Sequence, residues 1–355
     1  MGGAQAAVER RIAVVLFNLG GPDGPDSVRP FLFNLFNDES IIRVPRPFRY
    51  LLARLISRRR AVEAGKIYAE LGGGSPILPN TEAQAAALTA ALGDLGQVRV
   101  FIAMRYWHPM SDAAARAVKA FGPDEVVLLP LYPQFSTTTT GSSLRVWHEA
   151  AKSAGLAAPT RTVCCYPGED GFVDAYAEGI RAALAAASAH GRPRLLLSSH
   201  GLPETVVKDG DPYQWQCEQT ALAIVERLGI DGLDWLNTYQ SRVGPMKWIG
   251  PATEDEIRRA GADRVPLVVA PIAFVSEHSE TLVELDIEYR ELAAEAGVPF
   301  YGRVPTVSVA PRFIAGLAAM VRLALAKRRA FCSHEVGRVC PADWRRCPQA
   351  VSAGE

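Results

Sequence analysis

Two segments of this chain carry side chains able to handle protons and metal ions. The first, Leu195-Leu-Leu-Ser-Ser-His-Gly-Leu-Pro203, reads as a strand buried on both faces that delivers His200 into a loop punctuated by glycine and proline, continuing to Asp209-Gly-Asp-Pro-Tyr213. Open α/β sheets hold their ligands at such carboxyl ends. The second, Ser276-Glu-His-Ser-Glu-Thr-Leu-Val-Glu-Leu-Asp-Ile-Glu288, follows another apolar run and sets Glu280, Glu284 and Glu288 at i, i+4 and i+8 of a helical pattern. That spacing stacks three carboxylates along one ridge, with Leu282, Leu285 and Tyr289 on another side. Taken alone, a strand-end histidine is as readily structural as functional, and an acidic run is commonly a solvated helix face. Together they admit a sharper reading: a carboxylate ladder that passes a hard or borderline divalent cation toward an imidazole. No tight His or Cys cage accompanies the pair, which suits a metal ion that must leave again.

A third segment, residues 331–348, gathers Cys332, Cys340 and Cys347, two of them before proline. Six cysteines in a chain with no export signal read as reduced thiols or metal ligands rather than as a disulfide framework. Clustered thiolates with Cys-Pro steps fit an iron–sulfur site, a zinc site or unliganded thiols.

These groups need a scaffold, and the apolar pattern supplies one. Short β-branched runs at 12–17, 98–104, 126–131, 161–165, 195–199, 235–239 and 265–270 alternate with longer helical patterns. Runs buried on both faces and separated by helices predict parallel sheets with right-handed crossovers. The chain also repeats itself. Ala13-Val-Val-Leu-Phe-Asn-Leu-Gly-Gly-Pro22 echoes Arg194-Leu-Leu-Leu-Ser-Ser-His-Gly-Leu-Pro203, and Val126-Val-Leu-Leu-Pro-Leu-Tyr-Pro-Gln-Phe-Ser136 parallels Leu267-Val-Val-Ala-Pro-Ile-Ala-Phe-Val-Ser276. The expected fold is therefore α/β, with two similar doubly wound domains. We place them at residues 1–165 and 166–312, with 313–355 returning to the first domain as a Cys-rich tail. The first half is the longer, and its excess falls at residues 28–78. There Phe31, Phe33, Phe36, Phe48, Tyr50, Leu51 and Leu52 mix with Arg43, Arg46, Arg49, Arg54, Arg58, Arg59 and Arg60. Such a segment suits a lid over a flat dianionic ligand, a surface dipping into a membrane interface, or an ordinary amphipathic hairpin.

The totals exclude several classes. A length of 355 residues suits two domains, and 48% hydrophobic residues can fill both. Lys and Arg number 38 against 38 Asp and Glu, so no global field recruits nucleic acid. Residues 1–10 lack a signal-peptide core, and no apolar run reaches the ~18 residues of a span, since Arg322 interrupts 313–326. The expectation is a cytoplasmic protein, at most peripheral at the inner face of the membrane through residues 28–60. Neither Gly-x-Gly-x-x-Gly after a strand nor Gly-x4-Gly-Lys-Ser/Thr occurs, so no nucleotide cofactor is expected.

The His200 segment resembles the signature of ferrochelatase, the lyase that inserts ferrous iron into a porphyrin. The resemblance extends in order through Phe17-Asn-Leu-Gly-Gly-Pro22, Gly72-Gly-Gly-Ser-Pro76, Met104-Arg-Tyr106, Pro133-Gln-Phe-Ser136, Thr139-Thr-Gly-Ser-Ser143, Gln240-Ser-Arg-Val-Gly-Pro245 with Trp248, and Glu277-His-Ser-Glu-Thr-Leu282. It covers nearly the whole chain to residue 330. It implies a class II chelatase-like fold with parallel four-stranded sheets, and Fe²⁺ insertion into protoporphyrin IX as the final step of haem biosynthesis. It also implies His200 and Glu280 as the catalytic and metal-site pair, with His278, Glu284 and Glu288 as ion path or surrounding shell. Arg60, Tyr68 and Ser75 would hold porphyrin propionates, Arg105 and Tyr106 would line the face opposite His200, and Trp248 the pocket lip. Some family members hold a [2Fe–2S] cluster on three C-terminal cysteines and one upstream, and Cys332, Cys340 and Cys347 resemble that extension. Thr137 occupies the upstream position, which leaves Cys164, Cys165, Cys217 or His334 as fourth ligand. Two alternatives stay open: a coproporphyrin III enzyme, which needs more basic pocket residues, and a non-catalytic tetrapyrrole carrier. Monomer and homodimer are both compatible with the sequence.

Overall fold

Arg11–Asn18 is apolar on both of its alternating faces, and the fold buries both. The computed structural model describes residues 10–350, apart from 243–245, 328–329 and 336. In it, strand β1 (Arg11–Asn18) turns Ile12, Val14 and Leu16 into one core and Ala13, Val15 and Phe17 into another. Helices α1 (Val28–Phe36) and α2 (Arg46–Glu70) form the aromatic and basic segment, and α3 (Ile77–Ala91) leads back to β2 (Gln97–Met104). Then come α4 (Ser111–Phe121), β3 (Glu125–Pro130), α5 (Thr140–Ala154) and β4 (Thr160–Val163). The second half runs α6 (Asp170–Ala187), β5 (Arg194–His200), α7 (Glu204–Lys208), α8 (Tyr213–Leu228), β6 (Asp234–Gln240), α9 (Thr253–Asp263) and β7 (Leu267–Pro271). It continues through α10 (Ser279–Leu282), a π-helical turn at Glu284–Glu288, α11 (Tyr289–Glu295) and β8 (Tyr301–Arg303). Helix α12 (Pro311–Ala326), a two-residue strand β9 (Phe331–Cys332) and a 3-10 turn at Pro348–Ala350 complete the described elements.

Every strand pairing is parallel, in the orders β2-β1-β3-β4-β9 and β6-β5-β7-β8. The internal echo of the sequence is thus a structural one: β1 and β5 occupy the same place in their sheets. Asn18, opposite Met104, is the counterpart of His200, opposite Gln240. The first sheet corrects the expectation of four strands. Phe331 and Cys332 pair with Thr162 and Val163 and extend its edge. Two residues carry no readable period, so the fifth strand is invisible in the sequence.

Helices α6 and α12 lie between the sheets. Phe172, Tyr176, Ile180, Phe313, Leu317 and Val321 join a single core that also holds Leu16, Val127, Leu197 and Val268. Each such side chain contributes ~1.5–3 kcal/mol by leaving water, so the two halves are fixed to one another rather than hinged by a loop. A polar seam completes the join. Gln84 of α3 donates to the carbonyls of Val275 (2.8 Å) and Ser308 (3.1 Å) and accepts from Ser276 Oγ (2.9 Å). The loop that ends at His278, the N-cap of the α10 turn bearing Glu280, is in this way stapled to the opposite domain. Among the described residues, no helix is long and apolar enough to cross a membrane.

Candidate active site

The carboxyl ends of β1, β3, β5 and β7 open into one cleft of ≈ 470 Å³, lined by Asn18, Tyr106, His200, Trp248, His278 and Glu280 among mostly apolar neighbours. That is the size and character of a small-molecule site at a topological switch point. His200 ends β5, and its ring is 40% exposed to the cleft, so a ligand can reach it. Its Nδ1 lies 2.7 Å from the Gly201 carbonyl, which can only accept; the proton of the neutral ring therefore sits on Nδ1, and the Nε2 lone pair faces outward. His278 is held likewise, Nδ1 against Ser276 O at 3.1 Å. The two Nε2 atoms flank one carboxylate: Glu280 Oε2 is 3.7 Å from His200 and 3.6 Å from His278.

Electrostatics follow from that geometry. Burial alone would push the Glu280 carboxyl up, but the charge of His200 and the hydrogen bond and charge of His278 hold it down at about 2. Burial pulls the His200 imidazole down, and the Glu280 carboxylate, the Gly201 carbonyl and Glu284 more than reverse this, so His200 binds its proton more tightly than a free imidazole. A testable consequence concerns pH. If the neutral form of His200 is the active one, activity should rise with pH through an acid limb above the ordinary imidazole value. Glu280→Gln removes the charge that raises that limb, so in the variant's pH–rate profile the midpoint should move to lower pH. An unmoved midpoint would uncouple the pair.

The carboxylate ladder is not the uniform helical ridge expected. Glu280 lies on α10, whereas Glu284 and Glu288 bound the π-helical turn, a form that recurs at functional sites. Glu284 is gripped by Gln240 Nε2 (3.0 Å), Ser241 N (2.8 Å), Ser241 Oγ (2.5 Å) and Tyr289 OH (3.1 Å). Burial and the Glu280 charge push its carboxyl up against the hydrogen bonds from Ser241 and Gln240. Glu288 lies further out, and burial with the charges of Glu254, Glu291 and Glu63 raises it too. The sequence flagged Gln240 and Ser241 only as part of a motif; residues 243–245 of that motif lie outside the described residues.

The residues linked to porphyrin binding divide. Tyr106 and Trp248 line the cleft. Tyr68 is buried in the α1–α2 segment, hydrogen-bonded to Ser279 beside Glu280; burial pushes its phenol to about 12. Ser75 does not line the cleft: it packs against Gly21, where a Cβ would come within 2.5 Å of the serine side chain, and its NH donates to Pro22 O at 2.7 Å. Arg60 stands on the exposed face of α2, also outside the cleft lining. Arg105 is committed elsewhere, to Ser142 Oγ (2.7 Å) and Asp38 Oδ2 (2.8 Å). Asp38, silent in the sequence, is the hub of that network. It also accepts from Tyr106 OH (2.8 Å), Ser142 Oγ (2.5 Å), Ser40 N (2.9 Å) and Arg145 (3.1 Å).

The cysteines come close without forming a finished site. Cys164 and Cys165 have their sulfurs 3.2 Å apart, and Gln216 Nε2 donates to Cys165 (3.4 Å) and Cys340 (3.0 Å). Hydrogen bonding from Cys340, against burial, lowers the Cys347 thiol to about 6, whereas Cys340 is raised. Cys332 Sγ points at Thr162 O (3.5 Å), and His334 Nε2 toward Glu335 (3.9 Å). Cys217 packs apart, with Leu202, Val206 and Tyr213. Among the described residues, no three His, Cys, Asp or Glu side chains converge as a metal site.

Two doubly wound domains sharing a core, with imidazole and carboxylate facing each other in the cleft between them, define a chelatase-like α/β protein. The fold is similar to that of the sirohydrochlorin chelatase SirB from Bacillus subtilis subspecies spizizenii, solved with cobalt, at a TM-score of 0.52 and 11% identity, covering 90% of this chain and 97% of that one. A ferrochelatase family profile matches residues 11–325. Curated ferrochelatases align along almost their whole length: 56% identity from Caulobacter vibrioides (96% of this chain, 97% of the relative) and 55% from Hyphomonas neptunium (96% and 95%). That from Pelagibacter ubique is 47% identical (95% and 98%). The chain belongs to the ferrochelatase family, lyases that insert a metal ion into a porphyrin.

Proposed function

We propose that this protein inserts Fe²⁺ into protoporphyrin IX to form protohaem, with His200 and Glu280 as the catalytic pair. The observation that carries the reading is the pair of imidazole Nε2 atoms turned onto one carboxylate inside an apolar cleft. Insertion exchanges two pyrrole protons for one dication. His200, its Nδ1–H tied to Gly201, accepts one pyrrole proton at Nε2, releases it toward Glu284 and solvent, and then accepts the second; Glu280, held ionised, stabilises each imidazolium. Glu284 and Glu288, both raised by burial, are receptive next stations for protons or approach points for the cation. The cleft favours a dicarboxylate over coproporphyrin, because Arg43 is the one arginine or lysine lining it among the described residues. The test is haem formation from Fe²⁺ and protoporphyrin IX without nucleotide. Absence of product with properly folded protein would remove the proposal.

Two further assignments belong to the same reading. Cys332, Cys340 and Cys347, with Cys164 or Cys165, are the thiols a [2Fe–2S] cluster would use; Cys340 and Cys165 share a bond to Gln216, but no three of these thiols converge among the described residues, so the cluster would have to draw them together. Anaerobically purified protein should show visible thiolate-to-iron absorption that Cys347→Ser abolishes; a colourless protein carrying zinc would contradict it. The outer face of α2 exposes Phe48 (63%), Leu51 (63%) and Leu55 (46%) among Arg46, Arg54, Arg58 and Arg59, a composition suited to resting on an anionic membrane. Failure to co-sediment with anionic vesicles would exclude that contact.

A further inference from the structure

We infer that Gln84 of α3 is a positioning residue for metal insertion: from the first domain it fixes the loop on which the second domain presents His278, and through His278 it places the Glu280 carboxylate. The inference rests on the functional reading above. Helix α3 is rich in alanine, and three of its polar side chains, Asn80, Thr81 and Gln84, fall at i, i+1 and i+4 on one face. Each meets the segment after β7, directly or through Asn18. Asn80 Nδ2 reaches Glu277 O (3.5 Å), and Thr81 Oγ1 accepts from Asn18 Nδ2 (3.0 Å), which also reaches Ser276 Oγ (3.4 Å). Gln84 is fully buried and spends its whole carboxamide there, on the carbonyls of Val275 and Ser308 and the hydroxyl of Ser276. Ser308 N donates to Val275 O in turn (3.1 Å), so the amide closes a three-way junction.

An apolar side chain would seal this contact between domains equally well, and a buried amide is tolerated only when each of its groups is paired. The polar identity of Gln84 therefore specifies a position, since one arrangement of residues 275, 276 and 308 satisfies it. Ser276 carries that placement inward. Its hydroxyl donates to Gln84, and its carbonyl accepts from His278 Nδ1 at 3.1 Å, which aims the opposite ring nitrogen at Glu280 Oε2, 3.6 Å away. Gln84 is outside the cleft lining, so it acts on the rate without touching the porphyrin.

The test is a double-mutant cycle of Gln84→Met with His278→Ala in steady-state insertion, with Thr89→Ala as control, a residue of the same helix whose hydroxyl bonds Ala85 O (2.7 Å). Gln84→Met should lower kcat about tenfold to a hundredfold, the effect of an ångström-scale misplacement, while porphyrin KM stays within about twofold. In the His278→Ala background the same substitution should change kcat by less than about twofold, because a residue acting through His278 has nothing left to position. Ser276→Ala, which removes one of the three bonds, should show the same pattern more mildly and serves if Gln84→Met does not fold. Thr89→Ala should keep the wild-type kcat. Equal losses in both backgrounds, or an unchanged kcat in Gln84→Met, would overturn the proposal. An independent readout is the His278 Nδ1–H resonance of protein labelled with ¹⁵N-histidine, assigned by its loss in His278→Ala. The bond to Ser276 O should protect it in wild type and Thr89→Ala, and it should be lost to exchange in Gln84→Met. If the wild-type protein makes no haem, the functional reading fails by itself, and this resonance still decides whether Gln84 places His278; its persistence in Gln84→Met would refute that.

Discussion

His200→Ala should lower metal insertion about 10²–10⁴-fold while porphyrin affinity stays within about twofold, because general-base assistance is worth that much and the ring is held mainly by apolar walls. The variant should fold: His200 ends its strand, its ring is 40% exposed, and its removal leaves one backbone acceptor facing a cleft rather than a packed core. Stopped-flow insertion with saturating Fe²⁺, paired with porphyrin fluorescence, separates the two quantities. A carrier protein would show no such split. Equal loss of binding and rate would instead make His200 a part of the pocket wall.

Asp38→Ala should cost about 3–5 kcal/mol of stability, the usual consequence of removing one partner from a buried ion pair. Burial pushes the Asp38 carboxyl up, but the charge of Arg105 and the hydrogen bonds from Ser142, Ser40 and Tyr106 hold it below the ordinary carboxylate value. Since the folded-state value is lowered, the stabilisation is fully present above the unfolded value near ~3.9 and is lost as pH falls through the folded one. Denaturant midpoints of wild type and Asp38→Asn should therefore lie apart at neutral pH and converge in acid. Parallel curves across that range would assign the stability to packing alone. Because Tyr106 joins Asp38 to the cleft wall, activity should fall with stability even though Asp38 does not line the cleft.

How much of this was legible in the sequence depends on scale. Runs buried on both faces announce central parallel strands, and β1, β3, β5 and β7 lie where their apolar residues require. The repeat between Asn18 and His200 could be read because strand, glycine and proline recur in order. Strands β8 and β9, of three and two residues, are held by pairing partners supplied from elsewhere, and no local period records that. The π-helical turn escaped for a related reason: i, i+4 spacing looks the same whether the backbone winds as an α- or a π-helix. His200, His278 and Glu280 meet because two strand ends share a cleft, which topology makes inferable. Asp38 and Gln84 act through partners distant in sequence, and neither belongs to a motif. Arg60 and Ser75 show the opposite case, residues the resemblance points to that stand outside the cleft lining, while Arg105, bonded to Asp38 and Ser142, meets the cleft through the Tyr106 ring it covers.

The most direct measurement is a crystal structure of the protein soaked with protoporphyrin IX in the absence of metal. The account predicts the macrocycle in the cleft, its central nitrogens facing His200 Nε2 with Glu280 on the same side. A ring bound outside the cleft, or one turned so that neither group addresses its nitrogens, would contradict it.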